Sequence, residues 1–272
     1  MLKTRVLTAL VLLAILLPIL YFRHFGAFAL VALVFFFAAS WESARLFGFR
    51  RPLLIAVVWS ALIVVAMLNP SPPNIALLFV LCVALWAIRF VPALRTGLPV
   101  LASLGNNLLG ISYGMAIFGC FIAIATLFLR SPLYLLSVMA LVWLADIGAY
   151  FCGKAWGRRK LAPSISPGKS WEGAIGGWLV VLLVAAGSAI LPSLQDTFSA
   201  QVQQRWGWAI WFVILSLLVA ASVVGDLFES QLKRRAGFKD SSTLLPGHGG
   251  VLDRIDALIP VLPLAALLTL SI

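Results

Sequence analysis

The sequence predicts an all-α integral membrane protein, a polytopic bundle of about nine transmembrane helices with its N-terminus in the cytoplasm. The chain of 272 residues is 62% hydrophobic and only 11% charged. Its mean hydropathy of +1.08 is far above that of a soluble domain. Runs such as VLTALVLLAILLPIL are apolar at every position, which excludes the alternating pattern of an outer-membrane barrel. We therefore expect a purely helical bundle.

Apolar runs between polar breakers mark the predicted spans. They cover approximately residues 6–22, 26–41, 53–68, 74–92, 106–128, 132–152, 173–192, 207–228 and 257–272. A membrane helix needs about 20 mostly apolar residues to pair its backbone groups in hydrocarbon. The second and last runs are among the shortest of these. The first run has no small-residue cleavage site behind it, so we expect it to remain as the first span.

The distribution of Lys and Arg predicts the orientation. Seventeen of them lie on the same side of the membrane as the N-terminus. Three lie on the other side, Arg23, Arg130 and Arg205. Cytoplasmic loops carry such an excess, so we expect the charged loops 153–172 and 229–256 to face the cytoplasm. The net charge of +11 then reflects topology and contact with lipid headgroups, and nucleic acid is not an expected partner. We divide the chain into an N-terminal transmembrane scaffold, 1–128, and a C-terminal catalytic transmembrane region, 129–272.

Acidic residues concentrate on the same side as the basic loops. Asp146 and Asp226 each interrupt an apolar run, where an ionisable group costs roughly 2.5 kcal/mol or more unless it faces a cavity, a partner or an ion. Asp253 and Asp256 are three positions apart, a spacing that places both on one helical face. The four carboxylates predict a divalent-cation site, and hard oxygen ligands favour magnesium. For Asp146 and Asp226 a buried ion pair with a neighbouring Lys or Arg is the alternative.

The loop 229–256 surrounds these acids with cations and glycines. Its candidate catalytic cations are Lys233, Arg234, Lys239 and Arg254. Such groups suit phosphate oxygens, and the turn PGHGG allows a ligand to approach the backbone closely. His248, Gly249 and Gly250 in this turn are candidate substrate-binding residues. A phosphate monoester is already ionised at neutral pH, so His248 is not required as a base. The combination predicts a phosphoryl or nucleotidyl transfer site.

The loop 153–172 supplies a second set of candidate substrate-binding residues, Lys160, Lys169 and Ser170. We expect a helix to begin near Ser170 and to offer an anion site at its N-terminus. A solvated basic loop is the alternative. A Walker A loop is excluded because Pro163 stands where its first glycine is needed. The following GAIGG predicts close helix packing through small residues.

The polar segments resemble those of one family. The run Ser230-x-x-Lys233-Arg234, then Lys239-Asp240, PGHGG and Asp253-Arg254-x-Asp256, is similar to the signature of phosphatidate cytidylyltransferases, also called CDP-diacylglycerol synthases. The segments ADIGAYFCGK, LAPSISPGKSWEG and GDLFES resemble other parts of the same family. The resemblance is dense over about 140–260 and loose over the N-terminal half. It adds Ser230 to the candidate substrate-binding residues and Asp240 to the candidate catalytic residues.

This resemblance implies that CTP and phosphatidic acid react to give CDP-diacylglycerol and pyrophosphate. The site would face the cytoplasm at the cell (inner) membrane. The resemblance further implies that Asp226 and Asp253 hold the metal, with Asp256, Asp240 and Asp146 as weaker candidates. Magnesium dependence, a second, monovalent cation and a homodimer are implied in the same way.

An ion-coupled transporter or another anion-binding membrane protein is the alternative to an enzyme. Intramembrane acids of a transporter bind the coupling ion near the midplane of several spans. The acids of this chain cluster at one face instead, which favours the enzyme.

Overall fold

The chain folds into a bundle of apolar helices, which confirms the predicted all-α polytopic class. The computed structural model describes the backbone of residues 2–272 and the side chains of residues 7, 8 and 10–272. Lys3 and Arg5, which belong to the charge count, lie outside the described side chains. Helices follow from the composition, because in hydrocarbon every backbone N–H and C=O must pair within its own segment.

Over the described residues 2–272, the bundle contains eleven α-helices. In chain order they are α1 Leu2–Tyr21, α2 Phe25–Leu46, α3 Pro52–Leu68, α4 Pro72–Leu85, α5 Val91–Thr96, α6 Leu104–Arg130, α7 Pro132–Trp156, α8 Trp171–Ile190, α9 Phe198–Arg235, α10 Leu252–Ile255 and α11 Leu258–Thr269. A π-helical turn, Trp86–Phe90, joins α4 to α5. Proline occupies the first position of α3, α4 and α7, where its missing N–H breaks no helical hydrogen bond.

Six helical segments of the described chain are long and apolar enough to cross a membrane. They are α2, Pro72–Thr96, α6, α7, α8 and α9. Shorter apolar helices, Leu10–Tyr21 within α1, α3 and α11, account for the other predicted runs. Every predicted apolar run is therefore helical. The number of crossings and the cytoplasmic position of the N-terminus stay predictions.

The charged loops differ from the expectation in two respects. The loop 153–172 contains an antiparallel hairpin of β1 Lys160–Ala162 and β2 Ser166–Ser170, which was not predicted. Pro163 and Pro167 disfavour a helix in this polar segment, and the hairpin pairs its backbone groups instead. The predicted loop 229–256 begins with helix, because α9 continues to Arg235.

The short last helix, α11, is a core element. Helices α4, α6, α7 and α9 pack against it, and its side chains are buried around most of its circumference. A helix that is apolar all round is expected in such a place. At its end the Thr269 hydroxyl lies 3.1 Å from the Tyr134 hydroxyl, and Arg130 Nη1 donates to the Thr269 carbonyl at 3.4 Å.

Small residues bring α7 and α8 into close contact, as the GAIGG segment predicts. A Cβ atom added at Gly177 would clash with the carbonyl oxygen of Ala145, and one added at Gly176 would clash with Cys152. The backbones of the two helices therefore approach more closely than larger side chains would allow. This contact sets the position of Asp146, one residue beyond Ala145.

We expect Gly177→Val to lower the free energy of unfolding by about 2 kcal/mol, because the larger side chain must separate α7 from α8. Thermal unfolding of the detergent-solubilised protein measures the effect. Gly187→Ala is the matched control on α8, since a Cβ there meets no atom within 4 Å. Equal melting temperatures of Gly177→Val and the unmodified protein would contradict the close packing.

Candidate active site

A cavity between α7, α8, α9 and the hairpin collects several of the predicted site residues. Its volume is about 380 Å³. The polar residues that line it are Asp146, Lys154, Lys169, Ser170 and Asp226, and most of the remaining wall is apolar. Three residues from separate predicted segments, Asp146, Lys169 and Asp226, thus share one space.

An ion pair joins the hairpin to α9. Lys169 Nζ lies 2.5 Å from Asp226 Oδ2, and about a quarter of each side chain stays exposed. The Ser230 hydroxyl donates to Asp226 Oδ1 at 3.3 Å. The ion pair considered for Asp226 is therefore present, in a partly open setting that a ligand can reach. Asp146 presents exposed surface in the same region.

Ser170 begins α8, which confirms the predicted helix start. Its Oγ accepts the N–H of Gly173 at 3.2 Å. The Glu172 carboxylate in the first turn accepts the N–H groups of Arg158 and Arg159, at 3.0 and 3.1 Å. These bonds fix the base of the hairpin against α8. Lys160, at the first position of β1, is exposed, and anion binding by this loop stays a prediction.

Lys233 connects α9 to α10. Its Nζ lies 2.5 Å from Glu229 Oε2 and 2.7 Å from Asp253 Oδ1. Glu229 is fully buried, and sequence reasoning missed it. A signal was available, because an acid four positions before a lysine on an apolar helix is spaced for an ion pair.

Asp253 is held by the loop that precedes it. Its carboxylate accepts the Ser241 N–H at 2.9 Å, the Ser241 hydroxyl at 3.0 Å and the Gly250 N–H at 2.7 Å. Burial alone would raise the pKa of Asp253, but the bonds from Lys233 and Gly250 hold it below its ordinary value. Gly249 has φ of 84°, and a Cβ there would lie 2.7 Å from Asp253 Oδ2. The glycines of PGHGG thus make room for this carboxylate.

Asp256 lies beside Asp226. Burial first, and then the negative charge of Asp226, raises the pKa of Asp256 to about 8. Gly225 allows this approach, because a Cβ there would clash with the Asp256 carbonyl and with Pro260. Asp253 and Asp256 were predicted to share one face of a helix. Helix α10 is only one turn long and ends at Ile255, so Asp256 lies just beyond it. The two carboxylates have different partners as a result.

The remaining residues of the predicted loop divide into structural and exposed groups. Arg254 Nε donates to the His248 carbonyl at 2.9 Å, and its Nη2 donates to the same oxygen. The Leu245 N–H donates to the Gly249 carbonyl at 2.9 Å and closes the turn. Arg234, Lys239 and Asp240 are exposed, as is Arg254. Arg254 thus braces the turn, while the other three make no such contact among the described residues and can meet a ligand.

The predicted scaffold also reaches this loop, which the sequence did not indicate. The carboxylate of Glu42 in α2 accepts the N–H of Leu252 at 2.6 Å, and Arg45 Nη2 donates to the Ser241 carbonyl at 2.9 Å. Thr8 in α1 donates to the Pro246 carbonyl at 3.0 Å. The available signal was Glu42 itself, a lone acid in an apolar helix.

Magnesium binding by the carboxylates near α9 stays a prediction. Among the described residues, no group of three or more His, Cys, Asp or Glu side chains is arranged to hold a metal ion. Magnesium does not require such a cage, since one or two carboxylates and phosphate oxygens commonly bind it. The Asp256 carbonyl lies against Gly225, the residue before Asp226, and the buried Glu229 Oε1 has no hydrogen-bond partner among the described residues. An added positive charge would stabilise this cluster.

Comparison with known proteins identifies the family. The sequence profile of the cytidylyltransferase family matches residues 3–272. The chain belongs to the cytidylyltransferase family. Two relatives named phosphatidate cytidylyltransferase extend this result over nearly the full length. The protein of Pseudomonas aeruginosa is 39% identical over 274 residues, 98% of this chain and 97% of the relative. That of Haemophilus influenzae is 37% identical over 286 residues, 97% of this chain and 96% of the relative.

A third relative locates the stronger similarity in one part of the chain. The phosphatidate cytidylyltransferase of Brucella suis is 48% identical over 122 residues, which is 45% of this chain and 41% of the relative. Family membership therefore confirms the resemblance that the polar segments show. Their individual roles in a cytidylyltransferase stay predictions.

We expect Lys233→Met to lower the free energy of unfolding by about 3 kcal/mol, because it leaves the buried Glu229 carboxylate unpaired. Denaturation in detergent measures this loss. Arg234→Met is the control for stability, since Arg234 follows in the same helical turn and is exposed. The double variant Lys233→Met with Glu229→Leu should recover stability. Equal losses in the single and double variants would show that the ion pair is not the cause.

Proposed function

We propose that this protein transfers CMP from CTP to phosphatidic acid and releases pyrophosphate, forming CDP-diacylglycerol for phospholipid synthesis. The nearly full-length similarity to two relatives named phosphatidate cytidylyltransferase carries the proposal. The position of the polar cluster beside apolar helices supports it. A water-soluble nucleotide and a membrane-bound phosphate must meet at such a boundary.

The reaction is an in-line displacement at phosphorus. An oxygen of the phosphatidic acid phosphate forms a bond to the α-phosphorus of CTP. The bond from the α-phosphorus to the oxygen that bridges to the β-phosphate breaks, and its electron pair leaves with pyrophosphate. The attacking phosphate is ionised at neutral pH, so the protein need not supply a base. The protein instead holds two anions together and stabilises the charge of the transition state.

We assign the cavity between α7, α8 and α9 to the phosphatidic acid headgroup. Lys169 provides a cation at its polar end, and apolar residues of α7 and α9 line the remainder. This combination suits a phosphate that is attached to acyl chains in the bilayer. The exposed Arg234 and Lys239 then bind the CTP phosphates, with Lys160 on the hairpin as a further contact.

Magnesium is the proposed cofactor, with Asp226 and Asp253 as its main ligands and Asp256 beside them. When bound, it would supply positive charge at the phosphate oxygens. Lys169 and Lys233 neutralise Asp226 and Asp253 in this structure, and the partly exposed Lys169 can turn towards substrate phosphates. A second, monovalent cation stays a prediction.

We place the site on the cytoplasmic side of the cell membrane and treat the enzyme as a homodimer. The excess of Lys and Arg on that side, seventeen against three, supports the orientation. The homodimer is supported by the family resemblance. The orientation is tested by labelling the cysteine of a Lys239→Cys variant from each side of the membrane. The homodimer is tested by light scattering of the detergent-solubilised protein.

The purified protein should release pyrophosphate from CTP only when phosphatidic acid and magnesium are both present. Coupled detection of pyrophosphate measures this, and EDTA should abolish the release until magnesium is restored. Diacylglycerol, which lacks the attacking phosphate, serves as the control lipid. Release with diacylglycerol, or uptake of an anion into vesicles without any release, would oppose the transferase and favour hydrolysis or transport.

We expect Asp226→Asn to lower kcat/KM by at least about 100-fold, because several kcal/mol of charge stabilisation at the phosphates would be lost. Transfer of labelled CMP to phosphatidic acid measures the change. Asp196→Asn is the matched control, since Asp196 is exposed and lies between the predicted spans 173–192 and 207–228, on the same side as Arg205 and away from the charged loops. Near-normal turnover by a folded Asp226→Asn protein would remove Asp226 from the reaction.

A further inference from the structure

A buried carboxylate of the predicted scaffold organises the segment that carries Asp253. Glu42 lies near the end of α2 and is fully buried. Its Oε1 accepts from the Ser242 hydroxyl at 2.5 Å and from the Val251 N–H at 3.0 Å. Its Oε2 accepts from the Leu252 N–H at 2.6 Å and lies 3.1 Å from the Ser241 hydroxyl. One side chain thus pairs buried polar groups at both ends of the segment 241–252.

The Ser241 hydroxyl connects Glu42 to Asp253. Its Oγ lies 3.1 Å from Glu42 Oε2 and 3.0 Å from Asp253 Oδ2. Gly250 fits between the same two carboxylates. Its N–H donates to Asp253 Oδ2 at 2.7 Å, and a Cβ there would lie 2.5 Å from Glu42 Oε1. Glu42 therefore sets the positions of the groups that orient Asp253.

Arg45, one turn along α2, holds the other side of the Ser241 peptide. Its Nη2 donates to the Ser241 carbonyl at 2.9 Å, and its guanidinium carbon lies 5.2 Å from the centre of the Phe238 ring. Helix α2 thus supplies a hydrogen-bond acceptor, Glu42, and a donor, Arg45, to the segment 241–252. The segment takes its shape from a membrane helix far away in the sequence.

We propose that Glu42 is a positioning residue for cytidylyl transfer, which acts by fixing the segment 241–253 so that Asp253 faces the reacting phosphates. The catalytic part of this inference rests on the proposed function of Asp253. The structural part rests on the four polar groups that lie within hydrogen-bond distance of the Glu42 carboxylate. Glutamine in this place would turn an NH₂ group towards one pair of donors and leave a buried N–H or hydroxyl unpaired.

The test is Glu42→Gln in the full-length protein. Hydrogen exchange of peptides that span 241–253 should accelerate, while exchange of the other helices stays unchanged. Because groups behind metal ligands contribute 10–100-fold to affinity or activity, we expect kcat to fall by about 10-fold or more. The magnesium concentration for half-maximal activity should rise, with the KM for phosphatidic acid unchanged. Ser40→Ala is the matched control on α2, since the buried Ser40 hydroxyl has no partner among the described residues.

The outcomes distinguish the positioning role of Glu42 from the metal role of Asp253. Exchange in 241–253 equal to that of the unmodified protein, or exchange accelerated throughout the chain, would overturn the positioning role. Faster local exchange and lower kcat at an unchanged magnesium requirement would support Glu42 and overturn the metal role of Asp253. If Glu42→Gln fails to fold, Ser242→Ala removes a single donor to Oε1 and should show the same local change, more weakly. Wild-type exchange in Ser242→Ala would overturn the proposal.

Discussion

The ammonium group of Lys233 lies between a carboxylate of the bundle and a carboxylate of the loop, and the arrangement of the site depends on it. Glu229 is fully buried on α9, and Asp253 belongs to α10. Two carboxylates so close together would repel each other without a cation. The ammonium group of Lys233 offsets this repulsion and joins α9 to the polar segment that carries Asp253. The position of Lys233 thus follows from the need to neutralise these two acids.

The same principle operates at the hairpin. Lys169 pairs with Asp226, so the hairpin is held against α9 by charge, while the capping bonds of Ser170 and Glu172 fix its connection to α8. Both lysines occupy positions next to proposed metal ligands. Each lysine thus compensates a carboxylate beside apolar helices, where an unpaired acid would be costly.

Close approach of backbones is the second requirement of the site. Gly225 brings α9 against the Asp256 carbonyl, and Gly250 allows Ser241, Glu42 and Asp253 to share one small volume. The glycines of α8 bring α7 close, which places Asp146 at the cavity. These glycines thus set the positions of the carboxylates, because they let the backbones that carry them come close together.

The sequence by itself determined the class of fold, the apolar helices and the polar segments that form the candidate site. It could do so because hydrophobicity and short motifs are local properties. It could not show that Lys233 pairs with Glu229 and Asp253 together, that α10 lasts a single turn, or that the loop 153–172 forms a hairpin. Glu42 was missed for the same reason, since its donors lie about two hundred positions away. Only the tertiary structure decides which buried donor meets which carboxylate, because that choice depends on distances between helices.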